Sequence, residues 1–135
     1  MGANSGREEL EIFNFTATRH VQGVILPPEG ARITVGKQPV GVRTIEQWIR
    51  KDLVNSQTSL MRELKSNGKS GGCRRLTEVQ WHWEIGPQEY FQETAYYCAS
   101  TSGLYRVQLT YWAENPHGQE LQSIALRVAS SLSTW

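Results

Sequence analysis

The fold is decided by residues 75–113, RLTEVQWHWEIGPQEYFQETAYYCASTSGLYRVQLTYWA. Three runs within this stretch, residues 75–85, 89–100 and 104–113, alternate between apolar and polar side chains as strands do. Only Gly86-Pro87-Gln88 and Thr101-Ser102-Gly103 separate the runs, and connections this short join antiparallel neighbours. The stretch therefore predicts an antiparallel three-stranded meander.

One face of this meander is predicted to be the core side. Its members are mostly apolar: Val79, Trp81, Trp83, Phe91, Ala95, Tyr97, Tyr105, Val107, Leu109 and Tyr111. The opposite face is more polar and carries His82, Glu84, Gln92, Thr94, Tyr96, Arg106, Gln108, Thr110 and Trp112. Large aromatic residues on a polar face are candidates for a contact surface. Tyr96, Trp112 and the terminal Trp135, with Arg106 and His82, are therefore the predicted partner-contact residues.

Two helices are predicted, one before the meander and one after it. Thr44-Ile45-Glu46-Gln47 has the spacing of a capping box, and apolar residues recur at helical intervals after it, which predicts a helix over residues 45–65. Asn115-Pro116 supplies a cap and a first-turn proline for the second helix. The apolar stripe of that helix is Leu121, Ile124, Ala125, Val128 and Leu132. Residues 66–72 contain three glycines and are predicted to form a loop.

Shorter strands are predicted near the start of the chain, over residues 10–18, 21–26 and 31–35. The second and third of these are predicted to be neighbours across the turn Pro27-Pro28-Glu29-Gly30. The fold class is thus α+β, an antiparallel β-sheet with helices packed on it. At 135 residues the chain fits one domain, assigned to residues 10–135. Residues 1–9 are predicted to be a disordered tail, or a scar left where a leader was removed.

Composition excludes several classes of partner. Fourteen Lys and Arg residues oppose 13 Asp and Glu residues, which gives a formal charge of +1 and no long-range field. No nucleic-acid partner is predicted from this charge. Apolar runs also stay well short of the roughly 20 residues that span a bilayer, so no membrane insertion of the domain is predicted. Oligomeric state is left open.

The two cysteines, Cys73 and Cys98, permit one disulfide. If the strands around Gly86-Pro87 pair tightly, the cysteines oppose each other, but Pro87 cannot donate a hydrogen bond to the ladder. If the turn is longer, Cys98 faces about Thr77 and Cys73 must fold back through the glycines before it. Two separate thiols are the alternative. A disulfide would point to an oxidising compartment.

No motif for catalysis, metal binding or cofactor binding occurs in the sequence. His20, His82 and His117 lie in different elements and lack the spacing of a zinc site. The glycines and arginines around Cys73 do not match the pattern of a phosphate-binding loop, and no helix is predicted directly after them. Nucleophile elbows, paired catalytic carboxylates and dinucleotide fingerprints are absent. The sequence therefore predicts no catalytic residue, no metal site and no cofactor.

The order of elements resembles the PsbP-like superfamily, which includes Ran-binding Mog proteins and DcrB-like or small bacterial lipoprotein domains. Three stretches carry the resemblance: residues 27–35 (PPEGARITV), residues 44–49 (TIEQWI), and residues 103–110 (GLYRVQLT) continuing through Asn115-Pro116 into the last helix. The resemblance implies an α-β-α sandwich and a non-enzymatic role in assembly or binding, often after export. No family motif anchors functional residues here, and Pro27-Pro28-Glu29-Gly30-Ala31 replaces the usual aromatic-Pro-x-Gly-Trp run.

Three function classes are consistent with these patterns. The first is a non-catalytic, extracytoplasmic accessory or assembly module, periplasmic or secreted and lipid-anchored if a leader preceded it, that contacts a protein partner through one sheet face or through residues 66–72. The second is an intracellular chaperone-like or inhibitor protein that binds an effector and keeps both thiols reduced. The third is a small hydrolase or ligand-binding enzyme, which would need His82, Glu84 and Arg106 to converge in one pocket.

Overall fold

The computed structural model describes residues 9–13, 19–20, 23–24, 29–53, 59–64, 73–87 and 89–131. The helices and strands of these ranges follow in chain order: β1 (Glu9–Phe13), β2 (Arg19–His20), β3 (Gly23–Val24), β4 (Ala31–Lys37), α1 (Ile45–Asp52), β5 (Ser59–Leu64), β6 (Cys73–Gly86), β7 (Glu89–Ser100), β8 (Gly103–Trp112) and α2 (Gly118–Ser130). The predicted α+β class is confirmed. The predicted loop over residues 66–72 and residues 1–8 of the predicted N-terminal tail lie outside the described residues, whereas Glu9, which the prediction assigns to the tail, is the first residue of β1.

Six strands form one sheet in the order β1-β4-β8-β7-β6-β5, and every neighbouring pair is antiparallel. The predicted meander is confirmed as β6, β7 and β8, because their connections are too short to allow any other pairing. The predicted pairing of residues 21–26 with residues 31–35 is wrong in the part described, since β3 pairs with β2 whereas β4 lies between β1 and β8.

Each face of the sheet packs against one helix. Leu121, Ala125 and Ala129 of α2 share a core with Tyr96, Val107 and Leu109, among others, on what we call the α2 face. Ile45, Trp48 and Ile49 of α1 share a second core with Val79, Trp81, Ala95 and Tyr97 on the α1 face. The prediction of one core side is therefore wrong. Because both faces are covered, apolar side chains occupy both, and strand alternation cannot mark one face as the solvent side.

Helix α1 begins where the sequence predicts and ends earlier. The Thr44 hydroxyl accepts a hydrogen bond from the Gln47 backbone N–H at 3.0 Å, and the Gln47 side-chain oxygen accepts one from the Arg43 N–H at 2.8 Å. The first bond satisfies a donor that a helix start leaves unpaired, and the second fixes the residue before the cap. The predicted extension to residue 65 is wrong, because residues 59–64 form β5. Leu60 and Leu64 are four residues apart, a spacing that keeps them on one side of a helix and of a strand alike.

Helix α2 begins at Gly118, three residues after the asparagine predicted to cap it. Asn115 instead fixes the turn before the helix. Its side-chain oxygen accepts a hydrogen bond from the His117 N–H at 2.9 Å, and its amide donates to the Gly30 carbonyl at 3.3 Å. Asn115 is buried, so these bonds satisfy polar groups that would otherwise be costly to remove from water. They also tie the start of α2 to the start of β4.

A disulfide joins Cys73 to Cys98, as the sequence allows, with Cα atoms 5.4 Å apart. Cys98 lies opposite Leu76 on the α2 face, and an unbroken ladder would place Cys73 on the other face, an odd number of residues away from Leu76. The register shifts between Cys73 and Arg75, which sets Cys73 opposite Ser100. A bulge of this kind reverses the facing of the residues beyond it. Both cysteines are thereby buried in the core beneath α2.

Candidate interaction surface

Tyr96 lies beneath α2, which corrects the prediction that it is exposed. Its side chain is only 1% exposed, and its hydroxyl donates to the Gln122 carbonyl at 3.4 Å. Burial raises the pKa of Tyr96, and the nearby Glu78 carboxylate adds to the effect. Tyr96 therefore belongs to the core and offers no contact surface to a partner.

Arg106 is bound to α1 on the opposite face. Its Nη1 donates to both carboxylate oxygens of Asp52 at 2.8 Å, and the Tyr97 hydroxyl donates to Asp52 Oδ2 at 2.6 Å. The Trp48 ring lies 5.2 Å from the guanidinium carbon, within range of a cation–π contact. Burial raises the pKa of Tyr97, and the Asp52 charge raises it further. We call these four residues the Arg106 network, which fastens the last turn of α1 to β7 and β8.

His82, Glu84 and Arg106 do not converge into a pocket. His82 lies opposite Gln92, which lies opposite Tyr111, and Tyr111 belongs to the core beneath α2. Directly opposed residues share a face, so His82 is on the α2 face, as is Glu84 two residues later. Arg106 is on the α1 face. The sheet thus separates the groups that the hydrolase hypothesis requires together. The His82 ring packs edge-on against Tyr90, with centroids 5.4 Å apart.

Trp112 lies on the α1 face at the end of β8. Its ring packs on Phe91 of β7, with centroids 4.2 Å apart and planes inclined by 36°. Both side chains are partly buried. Trp112 remains a candidate contact residue, whereas Trp135 lies outside the described residues.

A buried carboxylate on the α1 face was not predicted. Glu93 is 7% exposed, and it accepts hydrogen bonds from the Gln108 amide and the Thr110 hydroxyl, each at 3.1 Å. Nothing in the sequence distinguishes Glu93 from the polar residues on either side of it, since the register with β8 brings Gln108 and Thr110 to it. Over the ranges that the structure describes, no group of three His, Cys, Asp or Glu residues is placed to hold a metal ion. Within the same ranges, no helix has the length and apolar character needed to cross a membrane.

Among the sheet side chains that the structure describes, the most exposed apolar ones lie on the outer strands. Leu60 and Met61 of β5 are 67% and 61% exposed, and Leu10 and Ile12 of β1 are 48% and 42% exposed. Of the described strands, only β6 pairs with β5, so the other side of β5 borders none of them. We call this side, residues 59–64, the β5 edge. Its signal in the sequence is ambiguous, because Leu60 and Leu64 are four residues apart and this spacing fits a helix as well as a strand.

Both charged residues of β5 bind partners within the fold. Arg62 forms an ion pair with the buried Glu78 on the α2 face, at 3.0 Å. Glu63 forms one with Arg75 on the α1 face, at 2.8 Å, and the same guanidinium reaches Glu46 of α1 at 2.6 Å. The charges that commonly protect an exposed edge from pairing are here directed toward the neighbouring elements. The edge is left with an apolar centre at Leu60 and Met61.

The Arg75 ion pairs should make part of the stability depend on pH. Hydrogen bonding to Arg75 holds the pKa values of Glu46 and Glu63 below their ordinary value of 4.5. The two carboxylates therefore stabilise the fold fully above pH 4.5, and this contribution is lost as the pH falls through their lowered values. Both are half-exposed, so we expect less than about 1 kcal/mol. Urea unfolding of the wild type and of Arg75→Met should differ at neutral pH and converge in acid.

Arg74→Met is the matched control, because Arg74 is the exposed arginine beside Arg75. Its unfolding free energy should follow the wild type at every pH. A difference between Arg75→Met and the wild type that stays constant into acid would show that Arg75 acts through the packing of its aliphatic stem.

Comparison with known proteins identifies no family for this chain. The chain matches no protein-family model, and no curated protein matches it.

Proposed function

We propose that this chain is a non-catalytic accessory or assembly module that binds a protein partner outside the cytoplasm. The position of the exposed apolar surface carries the proposal. Helices α1 and α2 cover the two faces of the sheet, whereas Leu60 and Met61 are exposed on its edge strand, one on each face. A sheet edge binds an extended partner segment through main-chain hydrogen bonds and through alternating side chains. The edges, rather than a sheet face, are therefore the proposed binding surface.

The ion pairs and hydrogen bonds of the buried charged groups also favour a binding role over catalysis. Asp52 is neutralised by Arg106, Glu78 by Arg62, and Glu93 accepts two hydrogen bonds from β8. These pairings connect strands to one another or to α1, and breaking one to bind a substrate would leave a charge buried without compensation. Their chemistry is that of a scaffold.

The disulfide supports an extracytoplasmic location. Disulfides persist in secreted and periplasmic proteins, whereas cytosolic thiols are kept reduced. The resemblance to PsbP-like proteins, which implies an α-β-α sandwich and an exported accessory role, agrees with a helix on each face of an antiparallel sheet. We propose the PsbP-like superfamily as the structural class on these grounds.

Site-specific photocrosslinking tests the proposed binding surface. A photoreactive phenylalanine analogue in place of Met61 should form a discrete adduct with a partner polypeptide in cells that make this chain, because Met61 is exposed at the centre of the β5 edge. The same analogue at Val40, which is fully exposed but lies in the turn after β4, should form none. Gel mobility and mass spectrometry of the adduct provide the measurement.

A Leu60→Lys background sharpens the experiment. Leu60 is 67% exposed, and a charge at the apolar centre of the edge disfavours pairing with another strand, so the adduct from position 61 should disappear with it. A far-ultraviolet spectrum checks that the sheet persists. Equal labelling from positions 61 and 40, or no adduct from position 61, would contradict the proposed binding role of the edge.

A further inference from the structure

The β5 edge has a chemistry that specifies its partner. Arg62 and Glu63 are bound to Glu78 and Arg75, so a pairing strand has no net charge to neutralise. Leu60 projects on the α2 face, because its partner Gln80 lies opposite Thr94 and Thr94 opposite Leu109. Met61 projects on the α1 face. A strand that pairs with this edge must therefore place one side chain beside Leu60 on the α2 face and another beside Met61 on the α1 face, and both must be compatible with an apolar neighbour.

The β5 strand of a second copy of the chain meets this requirement. When two sheets join edge to edge, residues on corresponding faces must lie opposite each other, which leaves few registers. One sets Arg62 opposite Arg62 of the second copy, and another sets Glu63 opposite Glu63, and like charges in direct opposition destabilise a strand pair. A register centred on Leu60 avoids both but pairs only residues 59–61 of the described strand.

The register centred on Met61 avoids these conflicts and pairs residues 59–63 of each strand. It sets Met61 opposite Met61 of the second copy, Ser59 opposite Glu63 and Leu60 opposite Arg62. Arg62 keeps its ion pair with Glu78 of its own chain, so only the first carbons of its aliphatic stem lie beside Leu60 of the second copy. The methionine pair adds a flexible apolar contact at the centre. No like charges face each other in this arrangement.

We propose that a second copy of this chain docks on the β5 edge, antiparallel about a two-fold axis at Met61. The inference rests on the proposed role of the edge as the binding surface and names its occupant. The two six-stranded sheets become one continuous sheet, and the interface is isologous, as in most homodimers. Pairing also covers an edge that would otherwise remain open to unspecific association.

Sedimentation equilibrium over a wide range of protein concentration tests this proposal. The wild type should show a reversible equilibrium between monomer and dimer. Met61→Lys places two ammonium groups in direct opposition, so its dissociation constant should rise by about tenfold or more. Val40→Lys makes the same change of charge at a fully exposed position away from the edge, and it should dimerise like the wild type. Circular dichroism checks that each variant is folded.

Two further variants locate the interface. Met61→Cys should form an interchain disulfide under mild oxidation, whereas Val40→Cys should not. Leu10→Lys, on the opposite edge of the sheet, should leave the equilibrium unchanged. A wild type that remains monomeric throughout would overturn the self-pairing, even if photocrosslinking from position 61 captured another protein. A dimer lost in Leu10→Lys but kept in Met61→Lys would overturn the assignment to β5.

Discussion

Asp52→Ala should lower the free energy of unfolding by about 3–5 kcal/mol, the usual cost of removing one partner from a buried ion pair. The Asp52 carboxylate receives both the Arg106 guanidinium and the Tyr97 hydroxyl, and the Asp52 and Arg106 side chains are only about 15% exposed. Alanine leaves the guanidinium charge uncompensated and the hydroxyl without its acceptor. Urea unfolding followed by tryptophan fluorescence measures the loss, and Trp48 lies within the network itself.

Two comparisons separate charge from hydrogen bonding. Asp52→Asn keeps an oxygen acceptor and should cost less than alanine, with the difference reporting the ionic part. In the double variant Asp52→Ala with Arg106→Ala, no charge remains uncompensated, so its cost should be less than the sum of the two single costs. Glu114→Ala, which removes an exposed carboxylate, should stay within about 0.5 kcal/mol of the wild type. Equal costs for Asp52→Ala and Glu114→Ala would refute the stabilising role of the network.

The sequence predicts the elements of the sheet better than the facing of their side chains. The strands β6, β7 and β8 follow from alternation and from two very short connections, which are local signals. Facing depends on what covers each side, and here α1 and α2 cover both. Tyr96 and Tyr97 are adjacent in sequence and both are buried, one beneath each helix. A rule that assigns one to the core and the other to solvent must fail here.

The candidate binding edge could not be predicted because a spacing of four residues is ambiguous. Leu60 and Leu64 extend the helical stripe of α1 and equally satisfy the two-residue repeat of a strand. The decision depends on pairing with β6, a contact between distant segments. The same holds for Asp52, whose partners Tyr97 and Arg106 are 45 and 54 residues away. Local patterns carry no information on such contacts.

The disulfide shows that one extra residue in a strand can reverse the sheet face predicted for the residues beyond it. Counting by twos from Cys98 through the β6–β7 ladder places Cys73 on the α1 face, away from its partner. The register shift beside Arg75 changes that parity. The two strand pairings considered from the sequence differ in the length of the turn at Gly86-Pro87. The register shift that decides the face of Cys73 lies at the opposite end of β6.

Cys73→Ala with Cys98→Ala should lower the free energy of unfolding by about 3.5 kcal/mol at 25 °C. The bond closes a loop across 25 residues of separation, and its loss frees that loop in the unfolded chain. The paired alanines leave no buried thiol, so urea unfolding of the double variant measures mainly the cross-link. Reduced wild-type protein, unfolded under reducing conditions, should lose a similar amount. A double variant as stable as the oxidised wild type would contradict this account.

The burial of the disulfide affects how fast a reductant can break it, and the redox state of the two cysteines in the cell tests the proposed extracytoplasmic location. Cys73 is 3% exposed and Cys98 is fully buried, so a reductant reaches the sulfur atoms only when the chain opens. Reduction of the native protein should therefore be slow and should accelerate in urea in step with unfolding. Protein recovered from its own compartment and alkylated before reduction should carry no label on either cysteine. Labelling of both would mean that the chain resides where thiols are kept reduced, and the proposed extracytoplasmic location would then be abandoned while the β5 edge remained a binding surface.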